Sequence, residues 1–144
     1  MIYCDTSLLV AALTPEAKSG AVQAWLRTLG LGELCTSPWT ATEFSSAVGL
    51  KARTGKMSSD HKSDVLTQWR KLQTDQLVMI PVPGDAFDLA ARFCDMSGSG
   101  LRAGDALHLA VASLGGHAMA TLDVRMRDGA AAIGVPTVSI QIRD

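Results

Sequence analysis

The chain has 144 residues, enough for one domain to bury a hydrophobic core without disulfide or metal staples. Hydrophobic residues make up 47% and charged residues 19%, which excludes a disordered chain and a coiled coil. A net charge of −1 excludes nucleic-acid affinity by bulk electrostatics, so a nucleic-acid partner would have to be held by a local patch or a metal.

Met1 to Cys4 is predicted as the first strand, and Asp5-Thr6-Ser7 then offers N-capping chemistry before Leu8-Leu9-Val10. Pro15-Glu16 is expected to open a helix with Ala21, Val22, Trp25, Leu26 and Leu29 at helical spacing, closed by Gly30. Glu33 to Thr36 is a short second strand, and Thr40 or Thr42 begins a helix with Phe44, Ala47, Val48 and Leu50 inward. Ser58-Ser59-Asp60 caps a helix through Val65, Leu66, Trp69 and Leu72, and Leu77 to Ile80 is a third strand stopped by Pro81.

Ala86 to Met96 is predicted helical. After the Gly98-Ser99-Gly100 turn, a helix runs from about Ala103 to Leu114. Ala118 to Thr121 is a strand, Val124 to Ile133 a helix and Val135 to Ile140 a last strand. Short apolar runs alternating with helical patterns predict an α/β fold: one domain over residues 1–144, its central, mostly parallel twisted sheet flanked by helices.

Cys4, Cys35 and Cys94 are odd in number and lack CxxC spacing, which predicts free thiols in a reducing compartment. Met1 to Asp5 has no basic leader, and the longest apolar run, Leu8 to Leu13, is far too short to span a bilayer. The expectation is a cytoplasmic protein with no membrane association.

Four acids stand apart from the solvated faces. Asp5 and Asp123 directly follow predicted strands, where open parallel sheets bind ligands beyond the carboxyl ends. Asp105 and Glu43 are each expected in the first turn of an apolar helix. Singly, each has an ordinary explanation as a cap or a partner of the helix dipole. Together, at element ends flanked by apolar sequence, they imply a shared site, because burying lone carboxylates is costly. Two such charges about 4 Å apart repel by roughly 4 kcal/mol at an effective dielectric of 20. An all-oxygen cluster of that kind calls for Mg²⁺ or Mn²⁺ rather than zinc, and carboxylate-held Mg²⁺ suits phosphodiester hydrolysis.

The opening strand with Asp5-Thr6-Ser7, the Thr42-Glu43 helix, Gly104-Asp105-Ala106-Leu107-His108-Leu109-Ala110 and Thr121-Leu122-Asp123 resemble the PIN-domain signature, in the same order. The resemblance covers essentially the whole chain and is similar to the free-standing VapC toxins of toxin–antitoxin pairs. It implies a single PIN-like domain and an Mg²⁺-dependent endoribonuclease, with Mn²⁺ able to substitute. Asp5 and Asp105 would be the principal metal ligands, and Glu43 and Asp123 would complete the acidic pocket directly or through water. Ser7 and Thr121 match small hydroxyl positions that orient water or a ligand carboxylate. It also implies an RNA substrate, a cognate VapB-type antitoxin that lays a helix in a groove, and a homodimer.

Arg102, Arg125 and Arg127 flank the Asp105 and Asp123 segments, and Arg102 and Arg125 are the candidate RNA-phosphate contacts. His108 is expected to pack or hydrogen-bond behind the site, and His61 and His117 to lie at the surface. Trp25, Trp39 and Trp69 suit core or interface packing, and Met57, Met79, Met96 and Met119 suit core gaps. A phosphatase or phosphotransferase using Asp5 as nucleophile commonly wants a second acid where Ser7 stands, and a receiver domain wants acids that Ile80-Pro81-Val82 lacks. The alternatives that stay open are a PIN-domain nuclease of RNA processing outside toxin systems and a non-catalytic binding module on the same fold.

Overall fold

The computed structural model describes residues 1–96 and 98–141. Strand β1 (Ile2–Cys4) leads through Asp5 into α1 (Thr6–Leu13), and α2 (Ser19–Leu26) precedes β2 (Leu34–Thr36). The long helices α3 (Pro38–Arg53) and α4 (Ser59–Asp75) follow, then β3 (Val78–Met79) and α5 (Gly84–Asp95). Helix α6 (Ala103–Leu114), strand β4 (Ala118–Ala120) and helix α7 (Val124–Ile133) complete the order. All four strands are parallel, in the order β3-β2-β1-β4, so the expected α/β architecture holds.

Strands β1, β2 and β4 are short but dense with buried apolar residues, whereas both residues of β3 are exposed. Tyr3, Cys4, Cys35, Met119 and Ala120 are wholly inaccessible. Two hydrophobic clusters form around this sheet. One gathers Tyr3 and Cys35 with Phe93, Leu107, Leu109 and Met126. The other gathers Cys4 with Leu8, Leu9, Phe44, Val48 and Trp69. Phe44 stacks on Trp69 with ring centroids 4.5 Å apart, which fixes α3 against α4.

Several boundaries differ from the sequence expectations. Helix α2 starts at Ser19, not at Pro15-Glu16, because the Ser19 hydroxyl holds the preceding turn, accepting from Glu16 N–H at 2.8 Å and donating to the Thr14 carbonyl at 2.6 Å. Helix α3 starts at Pro38, whose missing N–H is harmless at a helix N-terminus, so Glu43 lies in the second turn and not the first. The last predicted strand shrinks to one parallel bridge between Met119 and Thr137. There Met119 N–H donates to the Pro136 carbonyl and Val138 N–H to the Met119 carbonyl, both at 2.8 Å, while Pro136 has no N–H to extend the ladder. Met57 and Met119 fill the core as expected, but Met79 and Met96 are 37% and 44% exposed at element edges. Helix α7 has the predicted bounds, and Asp105 lies in the first turn of α6 as expected.

Candidate functional site

Asp5 follows β1, the strand between β2 and β4, and caps α1 by accepting Leu8 N–H at 3.1 Å. The Ser7 hydroxyl reaches Oδ1 at 2.8 Å and Oδ2 at 3.0 Å. The Thr121 hydroxyl, at the end of β4, donates to Oδ2 at 2.6 Å. Only 2% of Asp5 is exposed. Burial pushes its carboxyl pKa up, against the downward pull of Thr121, His108, the Leu8 amide and Ser7.

These hydroxyls are themselves held. Leu122 N–H donates to Ser7 Oγ and Asp123 N–H to Thr121 Oγ1, both at 3.0 Å. Asp123 then caps α7 by accepting Met126 N–H at 3.1 Å. The turn after β4 and the first turn of α1 are therefore one hydrogen-bonded unit around the Asp5 carboxylate.

Glu43 arrives from α3. Its Oε1 accepts the Thr6 hydroxyl at 2.6 Å and also meets His108 Nε2. Burial acts to raise the Glu43 pKa, but the His108 hydrogen bond and charge, with Thr6, outweigh it and hold the carboxyl below its ordinary range. Its other oxygen, Oε2, lies beside Gly104, where an added Cβ would stand only 3.2 Å away. Asp105 is the next residue. Burial raises its pKa first and the neighbouring Asp123 charge second, with Glu43 adding a further like-charge contribution. Asp105 thus senses Asp123 and Glu43 as charges, while Asp5 is tied to the Asp123 turn through Thr121 and Ser7.

Among the described residues, no three His, Cys, Asp or Glu side chains are drawn together closely enough to hold one ion. The donor chemistry fits a hard divalent cation all the same: carboxylates and hydroxyls, with neither Cys4 nor Cys35 facing the acids through a hydrogen bond. Asp5 and Asp105 would supply direct oxygen ligands, with Glu43 and Asp123 acting across water, a pattern suited to Mg²⁺ because it retains several waters.

Two clefts meet at Asp123. One, about 800 Å³, is lined by Arg102, Arg125 and Asp128 as well as Asp123. The other, about 680 Å³, runs from Thr6, Ser7 and Asp123 toward Lys18, Lys51 and Lys56, with Lys51 paired to Glu16 at 2.9 Å. Arg102 and Arg125 therefore share a cleft with one of the four acids, Asp123. The approach of these lysines to Ser7 depends on how α2 and α3 flank α1. A third cleft of about 620 Å³ is almost wholly apolar, lined by Trp39, Val82, Phe87 and Leu107.

Sequence reading missed Thr6 as a partner of Glu43, although it lies inside the Asp5-Thr6-Ser7 motif. It also missed the contact of Tyr3 with His108, which joins positions 105 residues apart. No helix among the described residues is long and apolar enough to cross a membrane.

The fold resembles that of several solved proteins. FitAcB from Neisseria gonorrhoeae aligns with a TM-score of 0.73 at 21% identity, covering 96% of this chain and 97% of that one. VapC20 of Mycobacterium tuberculosis, described as a sarcin-ricin loop cleaving toxin, aligns with a TM-score of 0.73 at 17% identity, covering 96% and 98%. A toxin–antitoxin complex from Klebsiella pneumoniae aligns with a TM-score of 0.69 at 16% identity, covering 98% of each chain. No curated protein matches the sequence at a significant level. The PIN domain family matches residues 2–132, nearly the whole chain and all four acids, so this protein belongs to the PIN domain family.

Proposed function

We propose that the protein is an Mg²⁺- or Mn²⁺-dependent endoribonuclease that hydrolyses RNA phosphodiester bonds, and that it is the toxin of a type II toxin–antitoxin pair. The observation that carries the nuclease reading is the state of Asp5. A carboxylate 2% exposed is held by two side-chain hydroxyls and a helix N–H, one of those hydroxyls also binding the Asp123 amide, and Asp123 with Glu43 opposes the ionisation of Asp105. Fixed negative charge of this density serves a cation and its substrate better than it serves folding.

In this reading Asp5 and Asp105 hold the cation, and Ser7 and Thr121 keep Asp5 in one orientation. A bound divalent ion supplies charge neutralisation for the phosphate and acidity for the attacking water. Glu43 and Asp123 position that water by accepting hydrogen bonds from it. Arg102 and Arg125 meet phosphates beside the scissile one, from the cleft they share with Asp123.

The toxin reading is supported by structural similarity to VapC20, over 96% of this chain and 98% of that one, and to the Klebsiella pneumoniae toxin–antitoxin complex, over 98% of each chain. It includes a VapB-type antitoxin, a homodimer and a cytoplasmic location.

The decisive experiment is cleavage of a structured RNA with Mg²⁺, with Mn²⁺ and with excess EDTA. Cleavage is expected only with metal, and Asp5→Asn or Asp105→Asn should lower the rate by orders of magnitude while the fold survives. Undiminished cleavage in EDTA would overturn the metal-dependent reading. Activity confined to small phosphate esters would point to a phosphatase, and complete inertness to a binding module. Growth arrest on expression, relieved by a neighbouring gene product, tests the toxin assignment separately.

A further inference from the structure

Ser37 stands at the N-cap of α3 with extended backbone angles, φ −130° and ψ 166°, and serine is among the best capping residues. Yet its hydroxyl makes no capping bond. It lies 2.7 Å from the Tyr3 hydroxyl, in the interior, and Tyr3 in turn lies 3.0 Å from His108 Nδ1. The opposite ring nitrogen, Nε2, meets Glu43 Oε1. Tyr3 is wholly buried and His108 only 1% exposed, and the two rings pack edge-on with centroids 5.8 Å apart. A favourable local cap is thus given up to anchor a chain of buried hydrogen bonds that ends on an acid of the site.

Proton directions follow from the donor inventory. The Glu43 carboxylate only accepts, so His108 Nε2 carries the hydrogen. With Nε2 protonated, a neutral ring accepts at Nδ1 from Tyr3, which then accepts from Ser37, whereas an imidazolium donates from Nδ1 to Tyr3; in both forms Nε2 donates to Glu43. Thr6 donates to the same Glu43 oxygen at 2.6 Å. Both restraints therefore fall on Oε1, leaving Oε2 turned toward Gly104 and the start of α6.

We propose that His108 is a positioning residue: held from behind by Tyr3 and Ser37, it locks the Glu43 carboxylate so that Oε2 faces the reaction site. This rests on the metal-dependent nuclease reading and assigns His108 no contact with RNA and no proton transfer to it. The role belongs to this juxtaposition of β1, α3 and α6.

The test uses the full-length protein in steady-state RNA cleavage and in calorimetric Mn²⁺ titration. His108→Leu should lower kcat by about 10- to 100-fold, the scale of a misplaced catalytic group, with KM nearly unchanged. His108→Gln should recover most of that loss, because its amide donates to Glu43 while its carbonyl accepts from Tyr3. Glu43→Gln should lower kcat and weaken Mn²⁺, and adding His108→Leu to it should cost nothing more. Tyr3→Phe keeps the ring and removes the anchor. It should lower kcat less than His108→Leu does, and it carries the same comparison if the leucine variant does not fold.

Multiplying losses in the double variant, or a lowered Tm with unchanged kcat and Mn²⁺ affinity, would overturn the positioning role. A wild type that cleaves normally alongside an equally active His108→Leu overturns this inference alone. A wild type that neither binds Mn²⁺ nor cleaves overturns the nuclease reading, and this inference with it.

Discussion

Thr121 donates its hydroxyl to Asp5 Oδ2 at 2.6 Å across 116 positions of sequence, joining the end of β4 to the end of β1 at the level of the candidate site. The bond matters because Asp5 is inaccessible to water, so a lost donor is not replaced by solvent.

Thr121→Val, close in shape, should therefore destabilise the protein by about 1.5–3 kcal/mol near neutral pH, the range for hydrogen bonds to charged groups. The sign with pH follows from linkage. Burial raises the Asp5 pKa in the folded state, so the fold binds this proton more tightly than the unfolded chain does, and stability falls as pH rises above the ordinary aspartate range. Removing a bond that opposes the rise should push the pKa further up. The cost of Thr121→Val should then be smaller at acid pH and larger above the folded pKa, as read by urea denaturation across pH. A cost independent of pH would mean that the hydroxyl serves packing alone.

Asp105→Asn should leave metal-free stability unchanged or raise it by up to about 1 kcal/mol, a modest figure because the group is partly solvated and its repulsions are screened. The Asp105 pKa is raised by burial and by Asp123, so its ionisation costs stability as pH climbs. The advantage of the asparagine variant should appear at neutral pH and fade toward the unperturbed aspartate value. Saturating Mg²⁺ or Mn²⁺, a hundredfold above the dissociation constant, should stabilise the wild type by roughly 2.7 kcal/mol and the variant much less. Thermal unfolding with metal and with EDTA decides it. Equal shifts in both proteins would make these acids structural caps.

Gly104→Ala separates stability from function. Glycine inside a helix normally costs up to about 1 kcal/mol relative to alanine, so the change should favour α6. The new Cβ, however, would lie 3.2 Å from Glu43 Oε2 and 3.4 Å from Trp39 Cζ2. Glu43 is pinned through its other oxygen and cannot simply swing away. The expected result is stability within about 1 kcal/mol of wild type and cleavage reduced by roughly tenfold. Unchanged cleavage would show that the Glu43 position tolerates displacement.

Thiol labelling checks the core directly. Cys94 is exposed, whereas Cys4 and Cys35 are buried within the sheet. Burial raises the Cys35 pKa to about 11 and pushes Cys4 higher still. One thiol per chain should react rapidly with Ellman's reagent in native buffer, and three in denaturant. Rapid labelling of two or more in the native protein would contradict the packing of β1 and β2.

Much of this organisation is local and therefore written in short stretches of sequence. Asp5 and Asp123 are caps that accept the N–H three residues on, so an acid between an apolar run and a helical pattern marked both sites. The Asp105 helix and the bounds of α7 follow from apolar spacing in the same way. The placement of Glu43 was less legible, because Pro38 starts α3 earlier than the run after Thr40 implies.

What tertiary structure alone decided is which atoms meet. Ser7 and Thr121 share one carboxylate only because β1 and β4 are adjacent in the parallel order. Tyr3, Ser37, Glu43 and His108 form a chain only because β1, α3 and α6 pack around a common interior. No pattern of apolar spacing encodes such a meeting. Periodicity reports which face of an element is buried, whereas a hydrogen bond depends on separations of a few tenths of an ångström set by the packing of elements distant in sequence.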